Sequence, residues 1–214
     1  FCRKKNTVEN YIAETNNKNL KINIYESDLL DIEKNFSIID KFENNICGLI
    51  WISGFTGNAE NEFLDPKKAE ENIKVNLTNP ILITNKIIPK MIQNNNSFIV
   101  AIASVAGIRG RAKQLIYSAS KSGLIAYLSG LRQKLINKKI SVLTVMPGYI
   151  KTKAFEEGDW NPPAFLISSP KKTAQVIYKA IKSKKDIVYL SFFWRIIVFC
   201  ILHIPEKIFK KFKF

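Results

Sequence analysis

The sequence predicts an α/β fold: a doubly wound parallel sheet with flanking helices. Two observations carry that prediction. Short, nearly continuous apolar runs recur along the chain, among them "ICGLIWIS" (Ile46–Ser53), "SFIVAIAS" (Ser97–Ser104) and "KISVLTVMP" (Lys139–Pro147). Runs without alternation suit strands buried on both faces, as in a covered parallel sheet. Helical patterns separate these runs, and strand–helix alternation argues for right-handed crossovers within one α/β domain. The 214 residues suffice for one sizeable core, and no repeat or long linker divides them.

The elements follow in order. "LKINIY" (Leu20–Tyr25) alternates and reads as a short strand. Asp28 caps a helix over Leu29–Phe42. Ile46–Ser53 is a buried strand. Ala69 to about Gln93 is a long helical region in which Pro80 imposes a kink, and "NNNS" (Asn94–Ser97) ends it. Ser97–Ser104 is the next strand, and Arg111–Asn137 holds a helix. Lys139–Pro147 is a strand, Pro170 opens a helix over Lys171–Lys182, and "DIVYL" (Asp186–Leu190) is the last strand. Ligands of such sheets bind beyond the carboxyl ends of the strands. Gly54, Ser104 and the Pro147–Gly148 turn stand at those ends.

Composition narrows the chemistry. His203 is the single histidine, which excludes a histidine triad and a multi-histidine metal site. Cys2, Cys47 and Cys200 are far apart and form no CxxC, so zinc and dithiol chemistry have no support and no metal is expected. The formal charge of +15 allows a compositional drift toward lysine, an anionic membrane surface or a nucleic-acid partner. No nucleic-acid reader motif accompanies the charge, and no nucleic acid is expected.

"IYSASKSGL" (Ile116–Leu124) places Tyr117 and Lys121 four residues apart, on one helix face. A nearby ammonium favours the phenolate and lowers its pKa, which prepares a phenol to exchange protons. Small neighbours, Ser118, Ala119, Ser120 and Gly123, leave room for a bulky group. Taken with the upstream "IVAIASVAG", the segment resembles the short-chain dehydrogenase/reductase family, in which a serine after a strand faces a Tyr-x-x-x-Lys on the next helix. The matching residues are Ser104, Tyr117 and Lys121. "NIKVNLTNP" resembles the segment of the family's catalytic asparagine, at Asn76. "PGYIKT" resembles its nicotinamide-wrapping segment, at Pro147, Gly148, Ile150 and Thr152. "ESDLLD" resembles its adenine-contacting segment, at Asp28 and Leu29.

The resemblance covers about residues 1–190 and implies a Rossmann-like sheet and reversible hydride transfer between a nicotinamide and a carbonyl or alcohol. Tyr117 is then the proton donor and Ser104 the stabiliser of the carbonyl oxygen. Lys121 holds the nicotinamide ribose, and Asn76 supports a water that relays protons to Lys121. Gly54 permits close backbone approach to the cofactor, although "WISGFTG" departs from the family's Asn-Asn-Ala-Gly run. Arg3, just after the position that faces the ribose hydroxyls, resembles the NADP-preferring pattern; NAD stays open.

The family's opening strand and Gly-rich turn have no counterpart, since the first glycine is Gly48. The expectation is an N-terminally truncated fold lacking roughly 30–40 residues, with apolar faces and unpaired backbone groups beside the gap. An inactive fragment or a non-enzymatic binding remnant of the same fold is the rival reading.

Two segments are expected: an incomplete catalytic domain over residues 1–190 and an apolar, basic tail over 191–214. The tail, "SFFWRIIVFCILHIPEKIFKKFKF", reads as an anchor in an anionic membrane surface, as internal or homo-oligomer packing, or as a span. A cytoplasmic protein, peripheral on the inner face of a membrane, fits these features. An apolar or lipid-like carbonyl substrate would suit such a site.

Overall fold

The apolar runs form one parallel sheet in the computed structural model, which describes residues 1–14, 21–43, 45–55, 64–94, 96–156 and 161–212. Helix α1 spans Lys5–Glu14 and α2 spans Ile32–Asp40. Strand β1 is Gly48–Trp51, followed by α3 (Pro66–Ile73), a π-helical turn (Lys74–Thr78) and α4 (Asn79–Met91). Strand β2 (Ser97–Ile102) leads to α5 (Leu115–Leu135) and β3 (Ile140–Met146). The short strands β4 (Tyr149–Ile150) and β5 (Ile167–Ser168) pair with each other. Helix α6 (Pro170–Lys182), strand β6 (Ile187–Tyr189) and helices α7 (Phe192–His203) and α8 (Glu206–Phe209) complete the chain.

The sheet order is β1-β2-β3-β6, all parallel, with Trp51 beside Ala101, Ala101 beside Thr144, and Thr144 beside Ile187. One face packs under α2, α4 and α5, where Ile39, Ile83, Ile87, Leu124, Leu128 and Leu131 meet Ile99, Ala101 and Val142. The other face packs Val100, Leu143 and Val145 against Ala180 of α6. Coverage on both sides explains why these strands carry no polar alternation.

Local chemistry sets the helix starts. Asp65 accepts hydrogen bonds from the Lys67 and Lys68 amides and Pro66 supplies a preset first turn. Ser169 accepts from the Lys172 amide ahead of Pro170. The expected cap at Asp28 is instead Asp31, whose carboxylate accepts from the Lys34 amide at 3.0 Å. Asp28 turns back on the Leu30 amide at 2.9 Å, which spends its side chain one turn too early.

The long helical region expected from Ala69 to Gln93 forms from Pro66 to Met91, with its irregularity just before Pro80. Pro80 has no N–H for the carbonyl of Asn76, and its ring crowds that carbonyl. The π turn at Lys74–Thr78 widens the helix there, and Pro80 falls at the start of α4.

The strand expected at Leu20–Tyr25 does not form. Leu20 lies outside the described residues, residues 21–25 form no strand, and one isolated parallel bridge follows them, Cys2 to Glu26. The Cys2 amide donates to the Tyr25 carbonyl at 3.1 Å and the Ser27 amide to the Cys2 carbonyl at 3.0 Å. A single short neighbour cannot sustain a ladder. At one end of the sheet β1 is an edge strand, and Ile50 and Ile52 stand exposed.

The segment set apart as a tail shares a core with the rest. Trp194 and Val198 of α7 are buried with Ala103, Val105 and Met146. Arg109 holds the α7–α8 corner. Its guanidinium donates to the Ile201 and Ile204 carbonyls, pairs with Glu206 at 2.6 Å, and stacks 3.8 Å from the Phe209 ring centroid. Among the described residues, no helix is long and apolar enough to cross a membrane.

Candidate active site

Ser104 follows β2 in extended backbone and caps the short turn Val105–Gly107, its hydroxyl oxygen accepting from the Ala106 amide at 3.1 Å. That bond fixes the serine rotamer at the carboxyl end of the sheet. Tyr117 comes from the first turn of α5, and the Ser104 side chain is close enough to its phenol to hold down the phenol's pKa. Lys121, one turn on, is 3 % exposed; its Nζ lies 5.7 Å from the Tyr117 ring centroid and donates to the Ile102 carbonyl at 3.1 Å. The three residues thus share one locus beyond β2.

Their electrostatics differ from the expectation. Burial holds the Tyr117 phenol above its ordinary value, and the Ser104 hydroxyl and the Arg111 charge only offset that rise. Lys121 is not the group that pulls the phenol down. Its own pKa falls from 10.5 to about 8, because burial disfavours the ammonium. Arg111, whose pKa burial also lowers, is within electrostatic reach of both Tyr117 and Tyr149.

Asn76 sits on the π turn, 1 % exposed. Its amide grips the loop after β1 at both ends of one residue: the Phe55 N–H donates to Oδ1 at 2.9 Å, and Nδ2 donates to the Phe55 carbonyl at 2.6 Å. Asn72, one turn earlier, accepts from Asn76 Nδ2 at 2.6 Å and from Ser120 Oγ at 3.4 Å. The network joins the β1 loop to α5. It also brings Gly54 so near that a Cβ there would lie 3.3 Å from Lys121 Nζ and 3.5 Å from Asn76 Oδ1.

The expected cofactor residues fall into two groups. Arg3, Asp28, Leu29 and Gly54 line one cavity of about 490 Å³ along β1, within the range of ligand pockets. Pro147, Gly148, Ile150 and Thr152 follow β3. The Pro147 carbonyl accepts from the Val105 amide at 3.0 Å, so this turn is tied to the Ser104 loop. Ile150 packs on the α6 side of the sheet, and Thr152 is exposed, bonded to the Ile150 carbonyl at 3.4 Å. Gly148 faces the Trp194 indole, which occupies the space a Cβ would need. That contact, and not open space for a ligand, fixes glycine at this position.

The locus fits the ribose end of a nicotinamide dinucleotide. Lys121 is a buried ammonium with no carboxylate partner among the described residues, and the Gly54 backbone runs beside it. Such a charge suits sugar hydroxyls, which accept without neutralising it. Among the described residues, no group of three or more His, Cys, Asp or Glu could hold a metal.

Three contributors escaped the sequence reading. Arg111 carries no spacing signal, and Trp194 lies far along the chain from Gly148. Asn72 had a signal, its four-residue offset from Asn76 on a helical pattern.

A family model described as short chain dehydrogenase matches residues 1–161. The chain is similar to the 3-oxoacyl-[acyl-carrier-protein] reductase FabG of Buchnera aphidicola, 37% identical over 147 residues, which cover 65% of this chain and 59% of that protein. It is also 37% identical over 118 residues to the ketoacyl reductase HetN of Nostoc sp., covering 54% of this chain and 41% of that one. The chain spans about half the length of these curated relatives. Among solved structures, a short chain dehydrogenase from Burkholderia cenocepacia in complex with NADP superposes with a TM-score of 0.73, at 20% identity, over 87% of this chain and 76% of that one. A 3-oxoacyl-[acyl-carrier protein] reductase from Brucella melitensis in complex with NAD gives a TM-score of 0.70, at 23% identity, over 88% and 83%.

Proposed function

The chain belongs to the short-chain dehydrogenase family, and on that footing we propose that it transfers hydride reversibly between a nicotinamide dinucleotide and a carbonyl or alcohol. The observation that carries this reading is the meeting of Ser104, capped at the end of β2, with the Tyr117 phenol and the buried Lys121 ammonium one helical turn on, 5.7 Å from that ring. A bound nicotinamide supplies or takes up the hydride.

Tyr117 gives its phenolic proton to the carbonyl oxygen as that oxygen gains charge. The phenol carries its proton at neutral pH, and burial raises its pKa further, which suits it to the reducing direction. The Ser104 hydroxyl donates to the same oxygen and stabilises the developing charge. Lys121 holds ribose hydroxyls. Asn76, whose carbonyl meets no N–H from Pro80, positions a water that returns protons toward Lys121.

Arg3 beside Asp28 in the cavity favours NADP over NAD, since a guanidinium suits a ribose phosphate. The neighbours crystallised with NADP and with NAD support a nicotinamide of either kind. The relatives named for 3-oxoacyl reduction support a 3-oxo thioester with an apolar acyl chain as the substrate class.

The test follows oxidation of NADPH and NADH by the full chain with a 3-oxoacyl thioester. Tyr117→Phe is expected to lower turnover by about 10²–10⁴-fold with an unchanged circular dichroism melt. Full activity in Y117F, or a well-folded wild-type chain without turnover, overturns the reading.

A further inference from the structure

Helix α7 is apolar on two opposite sides. Its inner stripe, Trp194, Ile197, Val198 and Ile201, has helical spacing; Trp194 and Val198 are buried in the core there and Ile197 packs against it. The opposite stripe, Phe192, Ile196 and Phe199, has the same spacing and is 69 %, 47 % and 63 % exposed. Phe193 and Leu202 flank it, also exposed. A helix at an aqueous surface turns charge outward, yet Arg195 is the only formally charged residue in α7. The patch continues past the helix. Exposed Phe165 meets Phe193 edge-on with centroids 4.9 Å apart, and Ile208 of α8 and Phe212 just beyond it are exposed.

Cations frame this surface. Residues 191–212 hold Arg195, Lys207, Lys210 and Lys211 against the single acid Glu206, which Arg109 already pairs. All four cations are exposed. The 12 residues of α7 measure about 18 Å, well short of the roughly 30 Å hydrocarbon core of a bilayer. The helix therefore cannot span, although it can lie in plane.

We propose that the outer face of α7, with Phe165 and the α8 segment, docks in the plane of an anionic lipid surface. Aromatic and aliphatic side chains enter the acyl boundary while the lysines meet the headgroups. A second copy of the chain is the poorer occupant. A two-fold contact would set the same cations against one another.

The experiment sediments the full chain with vesicles of phosphatidylcholine alone and with phosphatidylcholine and phosphatidylglycerol in equal parts. Binding to the anionic vesicles is expected, with at least about a tenfold weaker affinity for the neutral ones and a loss on adding salt. A variant carrying Phe192→Ser, Ile196→Ser and Phe199→Ser should lose binding by about tenfold or more with an unchanged melt. Lys171→Glu with Lys179→Glu, exposed on α6, should leave binding intact. A chain that stays in the supernatant at low salt overturns the proposal. So does equal loss in both variants, which would indicate diffuse charge. A doubled mass by light scattering that the serine variant abolishes, without vesicle binding, would assign the face to a second copy.

Discussion

At the residue scale the site depends on a buried cation kept for chemistry at a cost in stability. Lys121 has a pKa of about 8 in the fold against 10.5 as a free side chain. Between those values the unfolded chain binds more protons, so the contribution to stability rises as pH climbs from about 8 toward 10.5. Below that window both states are charged and the full burial cost remains, on the order of 3 kcal/mol. Lys121→Met should therefore raise the melting temperature at pH 7, flatten the pH dependence above 8, and abolish turnover. Melts across that range together with a rate assay check it; a lower melting temperature at pH 7 would contradict the account. Ser104, Tyr117 and Lys121 were legible because short-range spacing on one strand end and one helix encodes their meeting. The sign of the phenol's shift was not, because burial is set by the whole surrounding structure. Arg111, which tunes that phenol, was hidden for the same reason.

At the element scale the chain solves local conflicts with specific devices. Continuous apolar runs announced β1, β2, β3 and β6, whereas the alternation of "LKINIY" produced no strand over residues 21–25, and only an isolated bridge forms after them at Glu26. Pro80 announced a break, yet that it would be a π turn presenting Asn76 to the Phe55 backbone needed the neighbouring loop. The Pro147–Gly148 turn is shaped from outside by Trp194, which donates through its indole N–H to the Leu166 carbonyl at 3.2 Å. Gly148→Ala should cost about 1–3 kcal/mol through overpacking. In a Trp194→Leu background the same change should cost far less, because the indole that it strikes is gone. Denaturant midpoints for the four proteins of this cycle give the coupling; a cost independent of residue 194 would place the strain elsewhere.

At the scale of the whole molecule, two layers of helix around a parallel sheet were foreseeable from strand–helix alternation. Less visible was the union of the chain's end with its centre. Nothing in "SFFWRIIVFCILHIP" says which apolar side turns inward, since both sides are apolar; only the cleft beside Ala103, Val105 and Met146 selects Trp194 and Val198. The Arg109 clamp has a consequence in time. Its bonds to Ile201, Ile204 and Glu206 reach across 92, 95 and 97 positions of chain, and ties that close so long a loop are formed late. The closing helices should thus be the last part to lock during folding and the first to fray. Hydrogen exchange should read that order directly, with the amides of Val198–Leu202 trading their protons well before those of Ile99–Ala101.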